Sequence, residues 1–249
     1  MKYKILILVS GKKKITETIQ KLIYKKSKHY EIKAVCGDKN IKLAKNISFI
    51  NTSKNKKESK VLKIIKSRKI NFIISFTYKW IVSEKILDAV NYRSFNIHGA
   101  KLSEYRGNHT SIFPILDDKK YTYVQLHHMN KFCDSGKIIS SKKIKITLND
   151  NGETLSDKII INGLSILKRF ITKDCKNSKR IENFINKAPL KKKLNSKFIK
   201  ANSIFGLKKI VNLKNTKEIF LKTRAFDWNN YEPAYIVLKK KKIYFRFKK

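Results

Sequence analysis

The chain is short of arginine, of acidic residues, of cysteine and of long apolar runs, and each shortage excludes something. Arginine occurs only at 68, 93, 106, 169, 180, 224 and 246, so 52 of the 59 basic residues are lysine. Only 18 aspartates and glutamates oppose them, which leaves a formal charge of +41. Such a charge invites a nucleic-acid partner. Specific grips on phosphate, however, favour the planar fork of arginine, and the lysines run from end to end instead of gathering on one element. Lysine, isoleucine and asparagine abound throughout, the bias expected of an A/T-rich genome. The charge therefore reads as background on a solvated surface, whose field would still steer an anionic substrate.

Three cysteines, Cys36, Cys133 and Cys175, are an odd number without metal-like spacing. They exclude a disulfide framework and fit a reducing cytoplasm. No apolar stretch reaches the ~20 residues of a membrane span. The run Ile5-Leu6-Ile7-Leu8-Val9 is too short, and too soon broken by Gly11-Lys12-Lys13-Lys14, for a signal peptide. There are no internal repeats, no Gly-rich phosphate loop and no zinc-type pairing of Cys with His. A length of 249 residues suffices for one sizeable domain plus a small one, with a core that needs no staples.

Strand and helix signals alternate. Residues 3–10 read as a buried strand, and apolar residues at Ile15, Ile19, Leu22 and Ile23 give a helix over 15–28. A strand over 30–35 follows, then an Asn/Lys/Ser-rich loop over 37–59 with a short helix at 40–45. A helix over 61–69, a strand over 71–76, a helix over 83–90 with Ser83 as N-cap, and a strand over 95–98 come next. Strands over 122–128 and 137–146 precede a long helix over 154–170. This alternation predicts an α/β, doubly wound, mainly parallel Rossmann-like sheet, with chemistry at the carboxyl ends of its strands. Composition turns polar after Lys173, placing a boundary near 180 between a catalytic domain (1–180) and a small C-terminal β-rich domain (181–249). The latter is built from Phe220–Phe226, Tyr235–Leu238 and Ile243–Phe247, with Lys239–Lys242 at the turn.

Asn96 and His98 stand two apart at the end of an apolar run, so in an extended backbone both leave by one face. Asp134 follows 38 positions later (134 − 96) in Asp134-Ser135-Gly136. An amide donor, a titratable imidazole and a carboxylate to orient it are what acyl transfer to an amine requires. The plainer alternatives are a strand-end asparagine serving loop backbone, a hydrogen-bonded core histidine and a turn aspartate. His109, His127 and His128 are rival histidines; the last two point to opposite faces of their strand, so at most one faces the site.

The ordered set Asn96-Ile97-His98, Leu102, Tyr105-Arg106-Gly107 and Asp134-Ser135-Gly136 resembles the signature of the folate-dependent formyltransferases. The resemblance implies N10-formyltetrahydrofolate as formyl donor and no metal. It gives Asn96 the developing oxyanion, His98 a donor or relay role, and Asp134 the task of orienting His98 and collecting a proton. It implies cofactor contacts at Trp80, Ile81, Val82, Asn108, Asn130 and Asp134, and substrate contacts at Arg106, Gly107 and His109. For residues 80–82 plain core packing is an equal alternative. Two departures stand out: Ser103 follows Leu102 where the family usually has Pro, and Asn130-Lys131-Phe132 replaces the usual Asp-x-Gly, so that Phe132 restricts backbone freedom where Gly is common.

Arg106-Gly107 resembles the methionyl-tRNA and sugar branches of the family, and Arg224-Ala225-Phe226 with Glu232-Pro233-Ala234-Tyr235 resembles the start of their shared C-terminal domain. No Arg-rich insertion for tRNA is recognisable between 36 and 60, and the chain stops at Lys249, which would truncate a tRNA-binding barrel. The branch implied is the sugar N-formyltransferases. The expected acceptor is a nucleotide-linked amino sugar, such as a dTDP-4-amino-4,6-dideoxy sugar, with no membrane partner and a homodimer through the C-terminal β unit. Formylation of methionyl-tRNA is the nearer rival, and a non-catalytic basic nucleic-acid-binding module the further one.

Overall fold

The apolar runs become strands buried on both faces, which is why they lack polar alternation. In the computed structural model, which describes residues 2–38, 43, 46–55, 57–186 and 196–247, β1 (Tyr3–Val9) leads into α1 (Lys13–Tyr24) and β2 (Tyr30–Gly37). After β3 (Ser48–Asn51) come α2 (Glu58–Ser67), β4 (Phe72–Phe76), α3 (Glu84–Asp88), β5 (Ser94–His98) and β6 (Tyr105–Gly107). A short α4 (Phe113–Leu116), β7 (Tyr121–His128) and β8 (Ile138–Lys145) precede the long α5 (Gly152–Thr172) and α6 (Ser178–Asn186). The chain ends with β9 (Lys197–Ile199), α7 (Thr216–Ala225), β10 (Ala234–Leu238) and β11 (Lys241–Phe245). All of the helix expected at 40–45 but Leu43 lies outside the described residues.

Seven strands form one sheet in the order β3-β2-β1-β4-β5-β7-β8. β2, β1, β4 and β5 pair in parallel, as do β3 and β2, while β7 runs antiparallel to β5. This is the mainly parallel, Rossmann-like sheet that the alternation predicts. Successive residues of a strand serve opposite layers. Leu6, Leu8, Ala34, Cys36 and Ile73 pack with Val61 and Ile65 of α2 and Ile86 of α3. On alternate positions, Tyr3, Phe72 and Phe95 form an aromatic row capped by Phe170 of α5, with ring centroids 4.8, 5.3 and 5.0 Å apart along Tyr3–Phe72, Phe72–Phe95 and Phe95–Phe170.

The chain divides into two compact units that are discontinuous in sequence: Met1–His98, Gln125–Ser141 and Gly163–Leu194 form one, and Gly99–Val124, Lys142–Asn162 and Asn195–Lys249 the other. In the second unit, β6 pairs with β9, and β10 with β11 as an antiparallel hairpin. Residues 220–225, expected in a β-rich unit, are helical within α7, and Phe226 is its C-cap. The Asn215 side chain caps that helix by accepting from the Glu218 N–H at 3.0 Å, and Lys222 pairs with Glu218 one turn on. Ser83 holds the N-cap position of α3 in extended backbone, yet its buried hydroxyl makes no cap bond.

At the far edge of the sheet, β8 turns Lys142, Lys143 and Lys145 to solvent. Among the described residues no helix is long and apolar enough to cross a membrane, and all three cysteines are free.

Candidate active site

The carboxyl end of β5 builds the site. Asn96 and His98 leave the strand on the same side, and both reach Asp134. Asn96 Nδ2 donates to Asp134 Oδ1 at 3.0 Å, and His98 Nδ1 lies 3.5 Å from Asp134 Oδ2. The three residues singled out by spacing thus converge, all within the first unit. Their surroundings strengthen the interaction: the side chains of His98 and Asp134 are only 5% and 10% exposed, and burial lowers the local dielectric. Asn96 remains half-buried, which leaves the cluster an edge toward solvent.

A fourth member joins them. The antiparallel register sets His127 of β7 directly opposite Asn96, and Asn96 Nδ2 stands 3.2 Å from His127 Nε2. His127 Nδ1 is 2.9 Å from the His128 carbonyl oxygen. A carbonyl only accepts, so Nδ1 carries the proton and Nε2 offers its lone pair to the asparagine amide. The same Nε2 is 3.4 Å from Asp134 Oδ1. The amide orientation of Asn96 follows from these partners: an oxygen in place of Nδ2 would face a carboxylate and a lone pair. Alternation along β7 sends His128 the other way, where Nε2 donates to Tyr92 O at 2.7 Å and the ring meets Phe95 edge-on. Burial holds its pKa below the ordinary imidazole value, against the raising effect of the Tyr92 carbonyl.

Asp134 arrives on the loop between β7 and β8. Its φ is +50°, a left-handed state uncommon outside glycine that aspartate tolerates better than most residues. Phe132, which replaces the usual glycine, is not in the left-handed region, so the substitution costs that position no forbidden backbone. Gly136 ends the loop, and a Cβ there would strike the His128 carbonyl oxygen. Asn130, expected at the cofactor, turns its side-chain oxygen into its own loop.

Two further rims belong to the expected contacts. In the first unit, Thr77–Ser83 links β4 to α3 without regular structure; there the Trp80 indole donates to Thr52 O at 2.7 Å, Ile81 is 64% exposed and Val82 packs on the core beneath. Ser10 and Thr77 hydroxyls meet at 2.8 Å beside it, at the ends of the adjacent β1 and β4. In the second unit, Arg106 is buried, donates to Ser196 O at 3.0 Å and lies over Phe198. Gly107 has φ +86°, and a Cβ there would strike Ile199 O. Asn108 is exposed, and His109 Nε2 donates to Ala201 O at 2.7 Å.

Residues 3–171 match the family model "Formyl transferase", and the chain belongs to that family. Among curated relatives it is 35% identical over 124 residues to a bifunctional polymyxin resistance protein of Wigglesworthia glossinidia brevipalpis, covering 50% of this chain and 19% of that protein. It is 28% identical over 150 residues to a methionyl-tRNA formyltransferase of Endomicrobium trichonymphae, covering 60% and 44%. The chain thus spans less than half the length of these curated relatives. Among solved structures, a 4-N formyltransferase from Francisella tularensis superposes with TM-score 0.72 at 18% identity, covering 99% of this chain and 98% of that one. A Helicobacter canadensis N-formyltransferase, solved with folinic acid and dTDP-3-aminofucose, superposes at TM-score 0.63 and 22% identity, covering 97% and 86%.

Proposed function

We propose that the protein transfers a formyl group from N10-formyltetrahydrofolate to the amine of a nucleotide-linked amino sugar in the cytoplasm. The observation that carries this reading is the convergence of Asn96, His98 and Asp134 within 3.0–3.5 Å at a strand end. Family membership supports formyl transfer. The near-complete structural match to N-formyltransferases, one of them holding a dTDP-amino sugar beside a folate, supports the acceptor class.

The folate supplies an activated carbonyl carbon; the chain supplies position and charge. As the neutral amine attacks, negative charge grows on the formyl oxygen. An Asn96 N–H, turned from its resting partners, and His98 meet that charge, the kind of stabilisation worth ~10²–10³ in rate per donor. A new C–N bond forms, the old one breaks, and one proton passes from the acceptor amine to the departing folate nitrogen. Asp134 Oδ1 and His127 Nε2, two acceptors 3.4 Å apart, give that proton a place to rest between the two nitrogens. No step calls for a metal ion. To the pterin we assign Trp80, Ile81 and Val82, with Asn108 as a further cofactor contact, and to the nucleotide sugar Arg106, Gly107 and His109. The β10–β11 hairpin, which exposes Leu238 and Ile243 on one side and Val237 and Tyr244 on the other, is the element we assign to a homodimer.

The test is direct. The protein is incubated with the formyl folate and either dTDP- or UDP-linked amino sugars or charged initiator tRNA, and release of tetrahydrofolate is followed. Turnover with the sugar is expected; turnover with tRNA alone would reassign the acceptor. Asn96→Ala and Asp134→Ala should each lower kcat by at least ~10² while leaving the folded circular-dichroism spectrum intact. Full activity in either would overturn the mechanism.

A further inference from the structure

The loop that delivers Asp134 is closed at its neck by main chain: the His128 N–H donates to Lys137 O at 2.9 Å, and the Met129 N–H to Ser94 O at 2.9 Å. Inside the loop, one side-chain oxygen gathers two donors. Asn130 Oδ1 accepts from the Phe132 N–H at 2.9 Å and from the Ser135 hydroxyl at 2.8 Å. The Ser135 hydroxyl also lies 2.8 Å from Phe132 O, so its single proton is shared between two acceptors on one side of the turn. Both side chains are buried, at 8% and 7% exposure. Between them sits Asp134, with φ +50° and each carboxylate oxygen facing a different partner, Oδ1 toward Asn96 and Oδ2 toward His98.

A residue in this backbone state persists when its surroundings over-determine it. The neck fixes where the loop begins and ends but not the conformation of position 134, three residues inside it. Asn130 and Ser135 tie the two sides of this turn together, and the Cys133 thiol approaches Asp134 Oδ2 at 3.5 Å beside them. We propose that Asn130 and Ser135 form a clamp that positions Asp134, acting through the loop backbone; Asn130 stands where the family usually has an aspartate, and Ser135 belongs to the family-like Asp-Ser-Gly turn. This inference rests on the formyl-transfer reading above.

Displacement of a reacting group by about 1 Å costs on the order of 10² in rate. Asn130→Ala and Ser135→Ala should therefore each lower kcat by about 10- to 100-fold, with KM for folate and for acceptor sugar changed by less than about threefold. The double variant should be no slower than Asn130→Ala, because both changes break one link. Asn130→Asp, which keeps the acceptor oxygen, and Ser135→Thr, which keeps the hydroxyl, should recover most of the loss. Titration of folate sites normalises kcat to folded protein, so loss of folding cannot imitate the effect. The proposal is overturned if Asn130→Ala keeps kcat within about twofold, if the double loss is multiplicative, or if the oxygen-keeping variants fail to recover activity. It is also overturned if only KM for folate rises, which would make Asn130 a cofactor contact. A wild-type protein that releases no tetrahydrofolate with any acceptor would sink the formyl-transfer reading instead. The clamp would then be judged by crystal structures of wild type and Asn130→Ala, where an unmoved Asp134 in the left-handed region overturns it.

Discussion

His127 and His128 are adjacent, chemically identical and both buried, yet the strand gives them separate tasks. His127 faces Asn96 and Asp134 with its Nδ1 bonded to a carbonyl, while His128 braces β5 from the other side through Tyr92 and Phe95. Burial depresses the folded-state pKa of His128 below the ordinary value of about 6.5. Above that value both folded and unfolded states hold the ring neutral. As pH falls below it the unfolded chain takes a proton that the folded one resists, so stability declines until the folded pKa is passed. Urea unfolding at pH 7.5, 6.5 and 5.5 should show this decline in the wild type, and His128→Phe should remove its share of the slope. An unchanged slope would refute the assignment. Of the candidate site, Asn96, His98 and Asp134 were legible because two-residue spacing on a strand and an Asp-Ser-Gly turn are local signals. The part played by His127 was not, because it depends on the register between β5 and β7, a property of pairing that no stretch of either strand encodes.

At the level of elements, the legible ones are those whose burial is uniform. β1 and β4 are apolar but for Lys4 and Ser75 because both faces are covered, and no turn signal interrupts them. α7 misled because Ile219, Phe220, Leu221 and Phe226 cluster as in a strand, while its decisive signal is Asn215 followed three residues later by Glu218, a capping pattern just outside the apolar run. β6 and β9, three residues each, exist only through each other, and no periodicity can announce them. If the cap is what starts α7, Asn215→Ala should cost about 1 kcal/mol, seen as a lowered melting temperature and as faster amide exchange across the first turn. Equal exchange in both proteins would show that packing of Leu221 and Ala225 suffices alone.

For the whole molecule, the acidic residues are largely committed to partners within the chain: Glu31 to Lys2 and Lys33, Asp174 to Arg169 and Arg180, Glu232 to Lys208 and Lys242. These pairs hold the Glu31 and Glu232 carboxyls below their ordinary pKa, and the surplus of lysine stays uncompensated. A nucleoside-diphosphate sugar approaching such a surface is attracted from afar. Raising salt from about 0.01 to about 0.1 M, which shortens the Debye length from about 30 to about 10 Å, should lower kcat/KM for the sugar severalfold and leave kcat unchanged. A kcat that falls in parallel would place the charge in the chemistry instead of the encounter.

The lysines of β8 have a different consequence. An open rim of backbone donors and acceptors is a template on which a further copy could add its own strand and begin a fibril. Three like charges along that rim make each such addition repulsive. The lysine surplus thus opposes edge-to-edge strand addition between crowded copies of this protein.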